Sequence, residues 1–525
     1  MGAAGCSRRE TPAAEGVRTQ TLLLGNLAEP ADLDPQVVLA YTDMNISNAL
    51  FEGLTWIDAR TSQPAPGVAE RWAVSPDGMT YTFHLRADAR WSNGDPLTAD
   101  DFVFSYRREL LPAFAAGYSY MLWPIKNAEA FNAGKITDFS LVGVKALDAH
   151  TLQVTLERPT AYLAALAAHE TWLPVPRKVI EKFGPIGQKG SAWTRPGNLV
   201  GNGPFLLVEW TPNSRIVAEK NPYYWDAARC RLNRIIFFPI DNTATEELAF
   251  RAGQLHVTSY KLPVSKIASY RDEVPSRLRI EPFLDTAFLN FNTTRPPLDR
   301  PLLRRALSLA IDRDAIARDI YQGSRRPAHS LTAPNCGGYT AEASVPDDVA
   351  EARKLLALAG FPGGRGLPPI DVQTFNDDDD QRTMAAIQTI WSRELGVHVT
   401  ITPLEQKTLF QNEQNLNYTI AQYGWVADYA DPSTYLGMFT TGNGNNLTGW
   451  SNREYDRLID ATTRTADNAR RYALFQRAEA ILLEESPIAP VTYPEAVRAI
   501  QPSVHGWQIN QVGFQRYQDV WLGEQ

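Results

Sequence analysis

The residues best equipped for chemistry lie in Thr419–Tyr435, TIAQYGWVADYADPSTY, where a large indole at Trp425 precedes a carboxylate at Asp428. Thr419 to Trp425 reads as a strand that runs into Gly424, so indole and acid are presented together at a strand end. An aromatic plane beside a carboxylate suits an amine. A buried Asp without a partner costs several kcal/mol, which is tolerable only when a cation reaches it or it stays wet. A plainer reading competes, in which Asp428, Asp431 and Pro432 cap a turn and Trp425 is ordinary core. The residues alone leave both open.

Other chemistries lack their signatures. Gly117-Tyr118-Ser119-Tyr120-Met121 has no second glycine and is not a nucleophile elbow. Gly201-Asn202-Gly203 and Gly442-Asn443-Gly444 continue into neither a dinucleotide fingerprint nor a P-loop lysine. Asp377–Asp380 is a run of acids without the spaced ligands of a calcium loop, and reads as a solvated helix start. The histidines at 84, 150, 169, 256, 329, 398 and 505 never fall into HxxH or HxxxH spacing, and Cys230 and Cys336 are far apart with no CxxC. No enzyme class, metal or cofactor is indicated.

Composition narrows the field further. A chain of 525 residues, 44% hydrophobic and 21% charged, exceeds one core and describes two or three globular domains. A net charge of −8 argues against nucleic acid or an anionic membrane surface as partner. Thirteen Trp, 20 Tyr and 21 Phe exceed what a lean core needs and suit the lining of a ligand cavity. No apolar run is long enough to span a bilayer. Ala3-Ala4-Gly5-Cys6 is similar to the end of a bacterial lipoprotein signal, which marks Cys6 for lipidation, and residues 7–18 read as a tether.

The elements that must position the indole and the acid are legible in outline. Gln20–Gly25 has a buried-strand pattern, a helix is expected over 43–52, and Thr80–Leu85 alternates as a half-buried strand. Thr98 is a candidate N-cap, with Asp100 and Asp101 in the first turn of a helix over 99–110. With strands at 141–146 and 151–156 and a helix at 160–168, this makes an α/β unit near 52–170. Residues 171–283 mix strands such as 234–239 with Gly/Asn-rich turns. From 284 to 492, helices at 302–322, 347–359, 380–395 and 468–484 alternate with strands at 370–375, 398–403 and 417–422, a second α/β domain. Residues 495–525 hold no strong helix and are expected to return to the first domain.

Three blocks in fixed order, PGVAERW, SPDGMTYTFHLR and ARWSNGDPLTADDFVFSYRR, resemble the N-terminal half of the oligopeptide-binding family, the family 5 solute-binding proteins of peptide-type ABC importers. The similarity continues through Gly201–Phe205, Asn221–Trp225, Asn290–Asn292, Leu302–Asp312 and Glu351–Leu356, and takes in GWVADY, about residues 20–520 in all. The resemblance implies an α/β, two-lobed periplasmic-binding-protein fold with an extra small domain and a cleft between the lobes. The expected division is a lipobox remnant and tether at 1–19, lobe I at 20–51, 171–283 and 493–525, an accessory domain at 52–170, and lobe II at 284–492.

It also implies a periplasmic or lipid-anchored monomer that encloses a short, extended peptide and delivers it to membrane permease subunits, with no catalysis and no cofactor. The peptide ammonium would meet Asp428, Trp425 would wall it, and Gly424, Val426 and Ala427 would pair with its backbone. Tyr41 would approach from the other lobe, and Tyr118 is a looser match. The chain departs from the family where relatives place cations that receive peptide C-termini. Tyr321, Asp380, Glu413 and Gln422 stand there instead, and none pairs with a carboxylate. If Asp380 and Glu413 border that pocket, its field is negative and a cationic or amidated ligand end is expected to be favoured. Asp285 and Val426 occupy the positions of a disulfide found in some members. A receptor for a metal chelate, haem or sugar on the same fold is the first alternative, and a secreted hydrolase the second.

Overall fold

The computed structural model describes residues 10–38 and 40–524, so the expectation for Cys6 lies outside the described residues. The chain divides into two compact units. The first takes the chain up to Arg60, Pro64–Ile280 and the chain from Ala496 onward; the second takes Thr61–Gln63 and Glu281–Glu495.

In the first unit, helix α1 (Pro12–Thr19) opens with Thr11 as N-cap, its hydroxyl accepting from the Ala14 N–H at 3.3 Å, and with proline in the first turn. Strand β1 (Thr21–Gly25) follows. His256, fully buried, ties the two together: Nδ1 accepts from the Leu23 N–H at 3.0 Å, and Nε2 donates to the Ala13 carbonyl at 2.8 Å. Burial pulls its pKa down to about 4, which keeps the ring neutral.

After helix α2 (Tyr41–Leu50), β2 (Ala69–Val74), β3 (Thr80–Leu85), β4 (Val144–Asp148) and β5 (Thr151–Thr155) form an antiparallel sheet in the order β2-β3-β5-β4. In β3 the apolar Tyr81, Phe83 and Leu85 alternate with Thr80, Thr82 and His84, and burial follows that alternation. Helix α3 (Ala99–Glu109) starts at Thr98, where the Asp101 carboxylate accepts from the Thr98 N–H at 2.8 Å in a capping box. Strands β6 (Phe205–Thr211), β7 (Arg215–Lys220) and β8 (Arg234–Phe238) complete a second sheet in the order β1-β8-β7-β6.

The second unit is built on a mixed sheet. Its strands are β9 (Asp285–Phe291), β10 (Arg325–Pro327), β11 (Ile370–Phe375), β12 (Val399–Leu404), β13 (Ile420–Val426) and β14 (Ile488–Ala499). β14, β9, β13, β11 and β12 lie side by side in that order, and β10 pairs along β14. β9 is antiparallel to both neighbours, while β11 is parallel to β13 and β12. Helices α4 (Pro301–Leu309), α5 (Asp378–Ile390), α6 (Gln406–Gln414) and α7 (Asn468–Glu485) belong to this unit. The single helix expected over 302–322 is broken, because Asp312 caps a new turn by accepting from the Ala315 N–H at 2.9 Å. Cys230 and Cys336 are both free and buried.

Candidate functional site

Strand β13 carries the site. Its antiparallel register with β9 sets Asp285 opposite Val426, Thr286 opposite Trp425 and Ala287 opposite Gly424. The Ala427 N–H donates to the Leu284 carbonyl at 2.7 Å, so by the two-residue repeat of such a ladder the odd-numbered residues of β13 bond toward β9. The backbone groups of Gln422, Gly424 and Val426 therefore point toward the β11 side. There β11 pairs only with Ile420 and Ala421, and the edge from Gln422 to Val426 continues past its partner. Val426 is 47% exposed, and a Cβ built on Gly424 would meet nothing nearer than 3.5 Å. Packing within the protein does not demand a glycine at 424, so its bareness leaves room beside an open strand edge.

The strand alternation sends side chains to two faces. Ala421, Tyr423 and Trp425 share the face covered by α6. On it Tyr423 meets Phe410 at 5.9 Å and Phe288 at 5.5 Å between ring centroids. Trp425 Nε1 donates to Thr434 Oγ1 at 3.3 Å, and the Asp428 N–H donates to the same oxygen at 3.3 Å, so one hydroxyl holds the indole and the following turn together.

Asp428 and Asp431 separate cleanly. Asp431 is 3% exposed and fully used: Arg471 Nη2 and Nη1 donate to it at 2.8 and 3.0 Å, and the Ser433 N–H donates at 3.0 Å. The turn-capping reading describes Asp431. The Asp428 carboxylate has no hydrogen-bond or ion-pair partner among the described residues, and desolvation alone pushes its pKa up to about 7. A desolvated acid lacking a cation, set beside an indole, has the chemistry to pair with an ammonium group.

The other face carries Gln422 and the bare Gly424. Gln422 Nε2 donates to Asp380 Oδ1 at 2.7 Å, and its Oε1 accepts from the Thr374 hydroxyl. Asp380 stands in the first turn of α5, and burial raises its pKa against the pull of Arg325 and of the Gln422 hydrogen bond.

One expectation is corrected here. Glu413 does not share a pocket with Asp380, because it projects from α6 on the opposite face, is fully buried, and accepts from Asn290 Nδ2 at 2.9 Å. Its pKa is driven up to about 8 by desolvation, so the group is largely protonated at neutral pH and does not supply the negative field expected of it. Arg382 pairs with Asp379 rather than with Asp380.

Tyr41 and Tyr118 belong to the first unit. The Tyr41 hydroxyl donates to the Gly513 carbonyl at 2.8 Å and accepts from Arg498 Nη2 at 2.9 Å, while the ring packs 4.4 Å from Tyr260. Tyr118 is half-buried and meets His169 edge-on at 5.2 Å.

Sequence reasoning missed Thr434 and Arg325. The guanidinium of Arg325 lies 3.9 Å over the Tyr321 ring. Gln322 and Gly323 both take positive φ, 54° and 74°, and fold residue 325 back over residue 321. The triplet Tyr321-Gln322-Gly323, followed by Ser324 and the basic Arg325 and Arg326, is the signal in the sequence, and it does not say where the side chain lands.

The family model described as bacterial extracellular solute-binding proteins, family 5 Middle, matches residues 63–446. The periplasmic oligopeptide-binding protein OppA of Salmonella typhimurium is 36% identical over 500 residues, 93% of this chain and 90% of its own length. The probable deoxycholate-binding periplasmic protein YgiS of Escherichia coli is 35% identical over 501 residues, 94% of this chain and 91% of its own. The structure of the Escherichia coli murein tripeptide binding protein MppA superposes with a TM-score of 0.80 at 30% identity, covering 96% of this chain and 99% of that one. The chain shares the multi-domain α/β fold of these periplasmic binding proteins, and it belongs to the bacterial extracellular solute-binding proteins, family 5.

Proposed function

We propose that this protein is the extracytoplasmic receptor of an ABC importer, that it takes short extended peptides, and that it presents them to membrane permease subunits as a monomer without chemical change. The observation that carries this reading is the Asp428 carboxylate, desolvated and without a partner among the described residues, at the end of a strand whose edge is open. A peptide brings the two things the site lacks. Its α-ammonium supplies the missing cation, and its extended backbone supplies donors and acceptors for Gln422, Gly424 and Val426, independent of sequence. Trp425 walls the ammonium. Residues 52–170, with their own sheet, form an accessory domain, and Cys6 is the point of lipid attachment.

A bile-acid-type ligand, suggested by the YgiS relative, has no ammonium for Asp428. Mass spectrometry of the protein purified under native conditions identifies any retained ligand and separates the classes. Calorimetric titration with matched free and N-acetylated peptides tests the site: the free peptide is expected to bind at least about tenfold more tightly, as for loss of one charged partner. Equal affinities would reject Asp428 as the amine receptor.

A further inference from the structure

Six arginines of the second unit are partly or fully buried: Arg304, Arg305, Arg313, Arg325, Arg326 and Arg471. Four are ion-paired, Arg305 to Glu484 at 3.0 Å, Arg313 to Asp347 at 2.5 Å, Arg326 to Glu495 at 2.6 Å and Arg471 to Asp431 at 2.8 Å. Arg304 is saturated by backbone carbonyls, with Leu298 at 2.8 Å and Glu485 at 2.6 Å among them. Arg325 differs from all five. Among the described residues its single hydrogen bond is a long one, 3.5 Å from Nη1 to Thr492 Oγ1, and no carboxylate lies within 4.0 Å. Asp380 feels its charge only at longer range and is already engaged by Gln422.

The position of Arg325 is built. Tyr321 lies beneath the guanidinium and is 2% exposed, and its hydroxyl is hydrogen-bonded to Thr383 of α5 at 2.9 Å. Stacking on a fixed ring holds the planar fork in place while leaving its N–H edges free. A half-desolvated guanidinium with unused donors calls for a planar anion, and a carboxylate matches its geometry in a bidentate way.

Resting on the reading of the protein as a peptide receptor, we propose that Arg325 is a specificity-determining residue that receives a carboxylate of the ligand. A ligand paired along β13 sends alternate side chains to the face of Gln422 and Gly424, which is the face of α5, Tyr321 and Arg325. The carboxylate can come from the C-terminus or from an Asp or Glu side chain, and Arg325 discriminates acid from amide in either case. This reverses the preference for cationic or amidated ends expected from Asp380 and Glu413.

The test is calorimetry on the full chain with one peptide core in four forms: free acid, C-terminal amide, and each of these with an interior Glu replaced by Gln. The wild type is expected to bind one member of an acid–amide pair about 10–100-fold more tightly, the range for a charge-assisted hydrogen-bonded pair, and the pair affected identifies the source of the carboxylate. Arg325→Gln is expected to abolish that difference while leaving the affinity for the neutral form unchanged, and Arg325→Lys to restore part of it. Equal wild-type affinity for every pair, or an equal loss for acid and amide in Arg325→Gln, would overturn the assignment while the peptide reading stands. Failure of the wild type to bind any of the four would overturn both.

Discussion

At the scale of single residues, two acids of the second unit with raised pKa, Asp428 and Glu413, meet opposite fates. Asp428 ionises near pH 7 in the folded protein against 3.8 in the unfolded chain, with desolvation as the cause. Between those values the unfolded chain releases a proton that the folded one retains, so stability of the ligand-free protein falls as pH rises through that window. Asp428→Asn is therefore expected to stabilise the ligand-free protein at pH 8, by about 1–3 kcal/mol, while weakening binding of free peptides by about 2–5 kcal/mol. Thermal melts and calorimetry on the same samples check both signs, and a variant that is less stable and still binds normally would contradict the account. An ammonium stabilises the ionised form, so peptide affinity should drop as pH falls below 7. Binding near pH 6 should then release close to one proton, read from titrations in buffers of different ionisation enthalpy. Glu413 has no such partner to gain. Glu413→Gln should leave peptide affinity within about twofold, because glutamine keeps the carbonyl that Asn290 donates to, and its stability gain should grow from about pH 4.5 and level off above about pH 8.

At the scale of elements, the determining feature is that β11 stops pairing with β13 after Ala421. A ligand strand added to that edge exchanges hydrogen bonds at every second residue, so N-methylation of peptide amides should be harmful and harmless in alternation. A calorimetric N-methyl scan reads this directly, and a flat profile would exclude strand addition. Thr434 ties the indole to the Asp428 turn through a single oxygen. Thr434→Val should cost about 1 kcal/mol of stability and weaken peptide binding less than Asp428→Asn does.

At the scale of the whole molecule, acids with raised pKa recur in both units. Glu246 and Glu479 titrate near 7, as Asp428 does, and Glu413 near 8, each chiefly through burial. Together they lower stability as pH climbs from about 4.5 to 8. Exposed acids such as Asp77, Asp138 and Glu209, held below their ordinary range by hydrogen bonds, lose their contribution under more acidic conditions. The ligand-free protein should melt about 3 °C or more higher at pH 5.5 than at pH 8, and a saturating peptide should narrow that difference. A scanning calorimetry series across pH decides it.

Much of this was determined by the sequence alone. Local patterns mark elements whose cause is local: the alternation of Thr80–Leu85, the capping box at Thr98, and the acid-rich start of α5. The aromatic–acid pair Trp425 and Asp428 was visible as residue types and spacing, although these alone left the turn-capping reading open beside it. Tertiary structure decided the rest. β14 was hidden because Pro490 and Pro494 interrupt its pattern, and only its neighbours β9 and β10 make it a strand. The difference between Asp428 and Asp431 exists only because Arg471, forty residues downstream, reaches one and not the other. Glu413 and Asp380 looked equivalent as acids along the chain, yet the sheet places them on opposite faces, one protonated in the core and one beside Gln422. Arg325 gained its place from a turn of two left-handed residues and a ring supported by a distant helix. Partnership of a charge is a long-range property, set by which surfaces fold together, and no local pattern encodes it.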